Sequence, residues 1–231
     1  MTTQFKGLPA DFFAFFEELA ANNERAWFEA NKERYRQSVV APMTYLVADM
    51  APRLAKISKH YVADPKRALF RIHRDVRFSK DKSPYKTHAA AQFRHAAGRD
   101  VHAPGFYVHA APGEIFVGAG IWMPPAPQLK AVRERIAKDP KAWRQAIGGK
   151  AFTATFGALS DDPAYSLKRP PKGFDPDHPA IDDIKRTSFV FMRTAKPAEA
   201  RKAGFIEIVD EAFRASTAPM RFLCGALGLE F

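Results

Sequence analysis

A single cysteine, Cys224, stands in a chain of 231 residues. That scarcity excludes an internal disulfide and any cysteine-built zinc site. Its setting, Arg-Phe-Leu-Cys-Gly-Ala-Leu, is apolar and has no electropositive neighbour in sequence, so the thiol is expected to pack as a small hydrophobe rather than attack a substrate. No window approaches 18 uninterrupted apolar residues, so no helix that crosses a membrane is expected, and no membrane partner. The opening, Met-Thr-Thr-Gln-Phe-Lys-Gly-Leu-Pro, lacks the basic start and apolar stretch of a secretory signal, and cytoplasmic placement is the expectation. Chemical signatures are missing too. His73, His88, His102, His109 and His178 are scattered, without the His-Glu-x-x-His helix of a metal site, and no Gly-x-Ser-x-Gly elbow marks a serine hydrolase. Neither a metal nor a cofactor is expected.

What is abundant is positive charge and phenylalanine. Lys and Arg number 36 against 25 Asp and Glu, a net of +11, which raises nucleic acid and phosphorylated or carboxylated ligands as partners. Twenty Phe rings within a 46% hydrophobic composition are enough for a substantial core, so the length reads as one folded domain rather than a disordered chain.

The first third is helical in pattern. Pro9 opens a segment whose Phe12, Phe16, Leu19 and Ala20 share a face, and Asn22-Asn23 offers a stop and a fresh cap. A second helix carries Trp27, Phe28, Asn31 and Tyr35. A third carries Leu46, Met50, Leu54, Ile57 and Tyr61, with Pro52 expected to kink or divide it. The middle third is β-rich. Phe70, Ile72, Val76 and Phe78 alternate with polar residues and predict a strand over 70–78, returning over 86–95. A second hairpin, 105–111 with 114–122, turns at Pro112-Gly113, and 186–193 is a further strand candidate. Helices are expected over 128–138, from Pro140, and over 199–227 with a break near Pro219, while the prolines of 167–179 predict an irregular ordered loop. The sum is one α+β domain over residues 1–231, a mainly antiparallel sheet with N-terminal and C-terminal helices packed on it.

The charge is concentrated. From Lys66 to His88 there are eight Lys or Arg and two Asp, a net of +6. On a strand, Arg71, His73, Asp75 and Arg77 would share one side, two guanidiniums flanking a His–Asp pair suited to acid–base work on a clamped anion. Arg74 would face the apolar side and need a partner there. The following loop, with Ser79, Lys80, Lys82, Ser83, Tyr85 and Lys86, joins hydroxyls, ammonium groups and turn amides that suit an anion. Lys168, Arg169 and Lys172 would add three cations if the fold brings their loop alongside. Tyr85, Phe106 and Tyr107 are candidate stacking surfaces for bases. Gly118 and Gly120, within a strand pattern, suggest a bulge or a close backbone approach.

Several of these stretches together resemble a known family. Asn22-Asn-x-x-x-Trp27-Phe followed by Tyr35, then Arg74-Asp-Val-Arg-Phe-Ser-Lys-Asp-Lys-Ser-Pro-Tyr-Lys86, Gly118-x-Gly-x-Trp122 and Leu167-Lys-Arg-x-Pro-Lys-Gly-Phe174 are similar to the pattern of domain-of-unknown-function family 2461. The resemblance spans nearly the whole chain. It implies a single full-length domain and supplies no reaction. Three functions stay open on the residues: a pocket for a small phosphate- or carboxylate-bearing ligand, with acid–base chemistry at His73 and Asp75 left undecided; a nucleic-acid-binding module; and a scaffold for an acidic protein partner. Oligomeric state is not encoded in any of these features.

Overall fold

Strands that are neighbours in sequence are neighbours in space across the whole sheet. In a computed structural model describing residues 4–97 and 103–231, β1 (Tyr61–Val62), β2 (Ala89–His95), β3 (Gly105–Ala111), β4 (Glu114–Ile121) and β5 (Phe189–Thr194) lie in that order, every pair antiparallel. Successive side chains on a strand point to opposite faces, so the register sorts the residues. Phe93 pairs with Phe106, Phe106 with Ala119 and Ala119 with Phe191, which puts Phe93, Phe106, Val108, Val117, Ile121, Phe189 and Phe191 on one fully buried face. The opposite face carries Gln92, Tyr107, His109, Phe116, Val190 and Met192 together with glycines 105, 118 and 120.

Helices cover the first face. The longer ones are α1 (Ala10–Ala21), α2 (Ala41–Ile57), α3 (Ala126–Lys138), α4 (Pro140–Gly148), α5 (Phe205–Ala215) and α6 (Thr217–Ala226). Phe213 of α5 meets Phe93 and Phe106 at ring separations of 5.3 and 4.6 Å, and Trp143 of α4 sits edge-on to Phe189 at 5.9 Å. The expected α+β architecture is therefore present. Cys224 is buried in α6, bonded to the Tyr61 hydroxyl at 3.2 Å, and burial pushes its thiol pKa up.

Local expectations fare unevenly. In α1 Phe12, Phe16 and Leu19 are buried as the periodicity predicts, but Ala20 is exposed, and Phe13 and Phe15 take the added core positions. The second helix is two short pieces, Arg25–Ala30 and Lys32–Tyr35, joined to α2 through a π turn over Arg36–Val40. Pro52 does not divide α2, which runs unbroken to Ile57. Pro219 falls in the first turn of α6, where a missing N–H costs nothing, so the break lies at Ser216 instead.

The largest correction concerns 70–78, which is not a strand. Its backbone touches the neighbouring chain at isolated points: Leu69 bridges Ala91, His73 bridges Tyr85, the Arg74 amide donates to Pro84 O and the Lys86 amide to Ile72 O. The alternation of exposure survives only to Arg77. Phe78, assigned by pattern to the apolar side, is 94% exposed. Arg74 interrupts the apolar side, and its guanidinium pairs with Asp81 instead of packing into a core.

Candidate functional site

The excursion over 70–88 is held in shape by specific bonds rather than by a ladder. Asn23 acts from a distance: its Nδ2 donates to Tyr85 O at 2.9 Å, and its Oδ1 accepts from the Tyr85 amide at 3.0 Å. Asn23 thus completes both backbone groups of Tyr85 in place of a strand partner, a role different from the helix cap expected of it; Glu24 precedes that helix. The Tyr85 ring is buried and stacked on Phe28 at 4.2 Å, so it meets the helices and not solvent. Phe106, likewise named for stacking, is fully buried in the core.

The charged side chains pair largely among themselves. Arg77 donates to Asp75 at 2.7 Å, and these bonds hold the Asp75 carboxyl down at about 2. Arg74 is bonded to Asp81, to Ser83 O at 3.3 Å and to the Ser79 hydroxyl at 3.4 Å, which answers the expected need for a partner. Asp81, also bonded by the amide and hydroxyl of Ser83, is held well below the usual carboxylate range. Lys82 donates to Val76 O at 2.9 Å. His73 has ring contacts with Phe28 and Tyr85, while Asp75 is taken up by Arg77, so the two do not form the acid–base pair that a shared strand face would have made. Arg71, Lys80, Lys168, Arg169 and Lys172 are exposed.

Directly beside the excursion, the uncovered face of the sheet holds a cavity of about 480 Å³. Among its lining residues are Phe70, Lys86, His88, Tyr107, His109 and Trp122, with Tyr165 and Met192 opposite the excursion. Of the expected ligand-binding residues, Lys86 alone lines it; Lys168, Arg169 and Lys172 do not, although Tyr165, just before their loop, does. The Lys86 ammonium donates to Arg71 O at 2.9 Å and lies 5.4 Å over the Phe70 ring. No carboxylate pairs with it among the described residues, and burial together with the nearby Arg71 charge lowers its pKa.

Two imidazoles sit at the same end. The rings of His88 and His109 are 4.5 Å apart, and His109 stacks in parallel on Phe116 at 4.7 Å. His109 is 8% exposed; its Nδ1 shares a 3.2 Å hydrogen bond with the Tyr107 hydroxyl, and its Nε2 is buried with no hydrogen-bond partner among the described residues. The nearest acid, Glu114 Oε2, is 3.8 Å away, beyond hydrogen-bond reach. Burial lowers both imidazoles to about 4, His88 with a further push from His109 and Lys86, so both are neutral at pH 7. The Tyr107 hydroxyl is pushed up to about 12 by burial and by Glu114.

The sequence reading missed this cluster because it followed charge. The signal was present in the parity of the second hairpin: Gly105, Tyr107 and His109 alternate on β3, as Phe116, Gly118 and Gly120 do on β4. The suspected close approach at the glycines is real. A Cβ on Gly118 would stand 2.7 Å from Phe191 O, and one on Gly120, at φ +128°, would stand 2.0 Å from Phe189 O. Among the described residues no group of three His, Cys, Asp or Glu side chains gathers for a metal ion; His102, one of the scattered histidines, lies outside the described residues. No described helix is long and apolar enough to cross a membrane.

A family model described as "Conserved hypothetical protein (DUF2461)" matches residues 11–222 of the chain. No curated protein and no solved structure matches it.

Proposed function

The chain belongs to this family of conserved hypothetical proteins, a membership that specifies no reaction, and on the geometry we propose that it binds a small carboxylate- or phosphate-bearing ligand in the cavity on the uncovered face of the sheet. The observation that carries this reading is Lys86, a partly buried ammonium at the cavity wall with no acidic partner among the described residues. The Arg71 carbonyl takes one of its hydrogen bonds but supplies no counter-charge, which an incoming anion would. Arg71 adds attraction from the rim, while the exposed Lys80 and Lys82 on the same excursion contribute to the field that draws an anion in. The apolar walls supply the remaining affinity, as in most small-molecule sites.

Calorimetric titration with inorganic phosphate, benzoate and 2-naphthoate tests the reading. At least one should bind saturably, and Lys86→Met should weaken it about tenfold, the scale of one charge-assisted hydrogen bond. Absence of saturable binding to all three would remove the proposal. A second reading, nucleic-acid binding, is favoured by one feature, the exposed Phe78 ring on a basic excursion. It requires affinity for single strands that falls with salt at a log–log slope of about −0.7 per phosphate contacted, and weaker binding by Phe78→Ala.

A further inference from the structure

The cavity changes character across the strands, and we infer that its ligand is an acid carrying a flexible alkyl or acyl chain. The inference rests on the binding proposed above and names the class of ligand. Charge and hydrogen-bonding capacity sit on the excursion side. Lys86 and His88 precede β2, Gln92 lies on β2, His109 on β3, and Glu114 is the first residue of β4. Towards β5 the lining turns apolar: Trp122 follows β4, and Val190 and Met192 belong to β5, with Tyr165 on the strand's outer side. A ligand with its acid at Lys86 therefore lays its remainder across β3, β4 and β5 onto apolar surface.

The shape of the floor selects a flexible body. From β2 to β5 there are three strand spacings, about 14 Å. Neighbouring strands are rotated by about 20–25°, so the floor turns by about 60–75° over that distance. A rigid fused-ring body long enough to span it leaves the surface at one end, whereas a chain with free torsions follows it. The floor is also adaptable. A Cβ on Gly118 would stand 3.0 Å from Met192 Cγ, so this unbranched thioether already lies over the bare backbone and can rearrange along a ligand.

The apolar side is open at its mouth. Trp122 and Met192, 49% and 38% exposed, are large side chains of the wall that still meet solvent. Met123, next to Trp122, has φ +42°, the single positive value at a non-glycine among the described residues, and its amide donates to the buried Ser188 hydroxyl at 2.9 Å. The backbone is thus pinned directly after Trp122 in a conformation that is costly for a side chain of this size. Strain of this kind collects where a side chain is held out for a ligand. A chain that leaves the cavity over Trp122 and Met192 buries both, and it gains affinity with each methylene laid down.

Calorimetric titration with butyrate, octanoate and dodecanoate, each below its micellar concentration, tests the class. Benzoate serves as the compact acid and dodecyltrimethylammonium as a chain of opposite charge. On wild type, affinity should rise about twofold to fourfold per added methylene, and dodecanoate should bind at least tenfold tighter than benzoate or the ammonium. Lys86→Met should weaken every carboxylate about tenfold and keep the dependence on length. Trp122→Ser and Met192→Ser, at exposed positions and first compared with wild type in their unfolding transitions, should each weaken dodecanoate at least fivefold and leave benzoate unchanged. If benzoate binds and the longer acids bind no tighter, or if both serine variants keep the full length dependence, the class is wrong while acid binding at Lys86 stands. If the ammonium matches dodecanoate, the class is wrong too, because the chain then adheres without its acid. If no acid binds saturably, both fall together.

Discussion

The two neutral imidazoles make the stability of this protein depend on pH. His88 and His109 are depressed from 6.5 to about 4 by burial. In the unfolded chain each takes up a proton as pH falls through 6.5; in the folded chain neither does so until about 4. The unfolded state thus binds more protons between these limits, so this contribution is fully present above pH 6.5 and is lost on acidification towards 4. A displacement from 6.5 to about 4 corresponds to at most about 3 kcal/mol for each site, and solvent at the half-buried His88 reduces its share. Near pH 5.5 each contributes a slope of about 1.2 kcal/mol per pH unit, about 2.4 together. The carboxylates start from ordinary values of 3.8 and 4.5 and those that shift are lowered, as at Asp11, Glu18 and Asp75, so their linkage lies mostly below pH 5. Urea denaturation at intervals from pH 5.0 to 6.5, compared between wild type and variant, reads out the imidazoles' part of the slope. His109→Phe should cut the slope by half or more, because it removes one titrating ring and part of the push on the other. Equal slopes in wild type and variant would refute the claim that the cavity holds these rings neutral.

Three other substitutions probe the frame around the site. Asn23→Ala removes both bonds to the Tyr85 backbone and should cost about 2 kcal/mol in urea denaturation, with faster amide exchange at Arg74 and Lys86. Gly120→Ala forces a side chain onto φ +128° and against Phe189 O, so a loss of about 3 kcal/mol or more is expected in thermal or urea unfolding. Phe78→Ser removes a ring that touches little beyond the Arg77 guanidinium and should leave stability within about 0.5 kcal/mol of wild type, separating any effect on ligand or nucleic-acid binding from folding.

How far the sequence reaches can be judged residue by residue. The second hairpin was legible to within a residue, since Pro112-Gly113 punctuates two alternating runs and pairing needs only local partners. So were the buried faces of α2 and α3, where Leu46, Met50, Leu54, Val132 and Ile136 recur at helical spacing. Residues 70–78 alternate just as well and yet form no strand, because their shape depends on Asn23, Arg74 and Asp81, bonds that periodicity does not register. The candidate site shows the same division. Lys86 was visible as one of many cations, but its distinction is a place at the cavity wall with no carboxylate paired to it among the described residues, which only the fold reveals. His88 and His109 lie 21 positions apart and looked like isolated histidines; the register of β2 against β3 brings them together.

The clasp between Asn23 and Tyr85 ties a basic excursion to the first helices across 62 positions of chain. Grafting residues 70–88 onto another scaffold would carry over every cation and lose the shape that presents them. Conversely, an amide side chain at the end of α1 governs how one wall of a distant hollow is set, so variation there would retune the rim without altering a single lining residue.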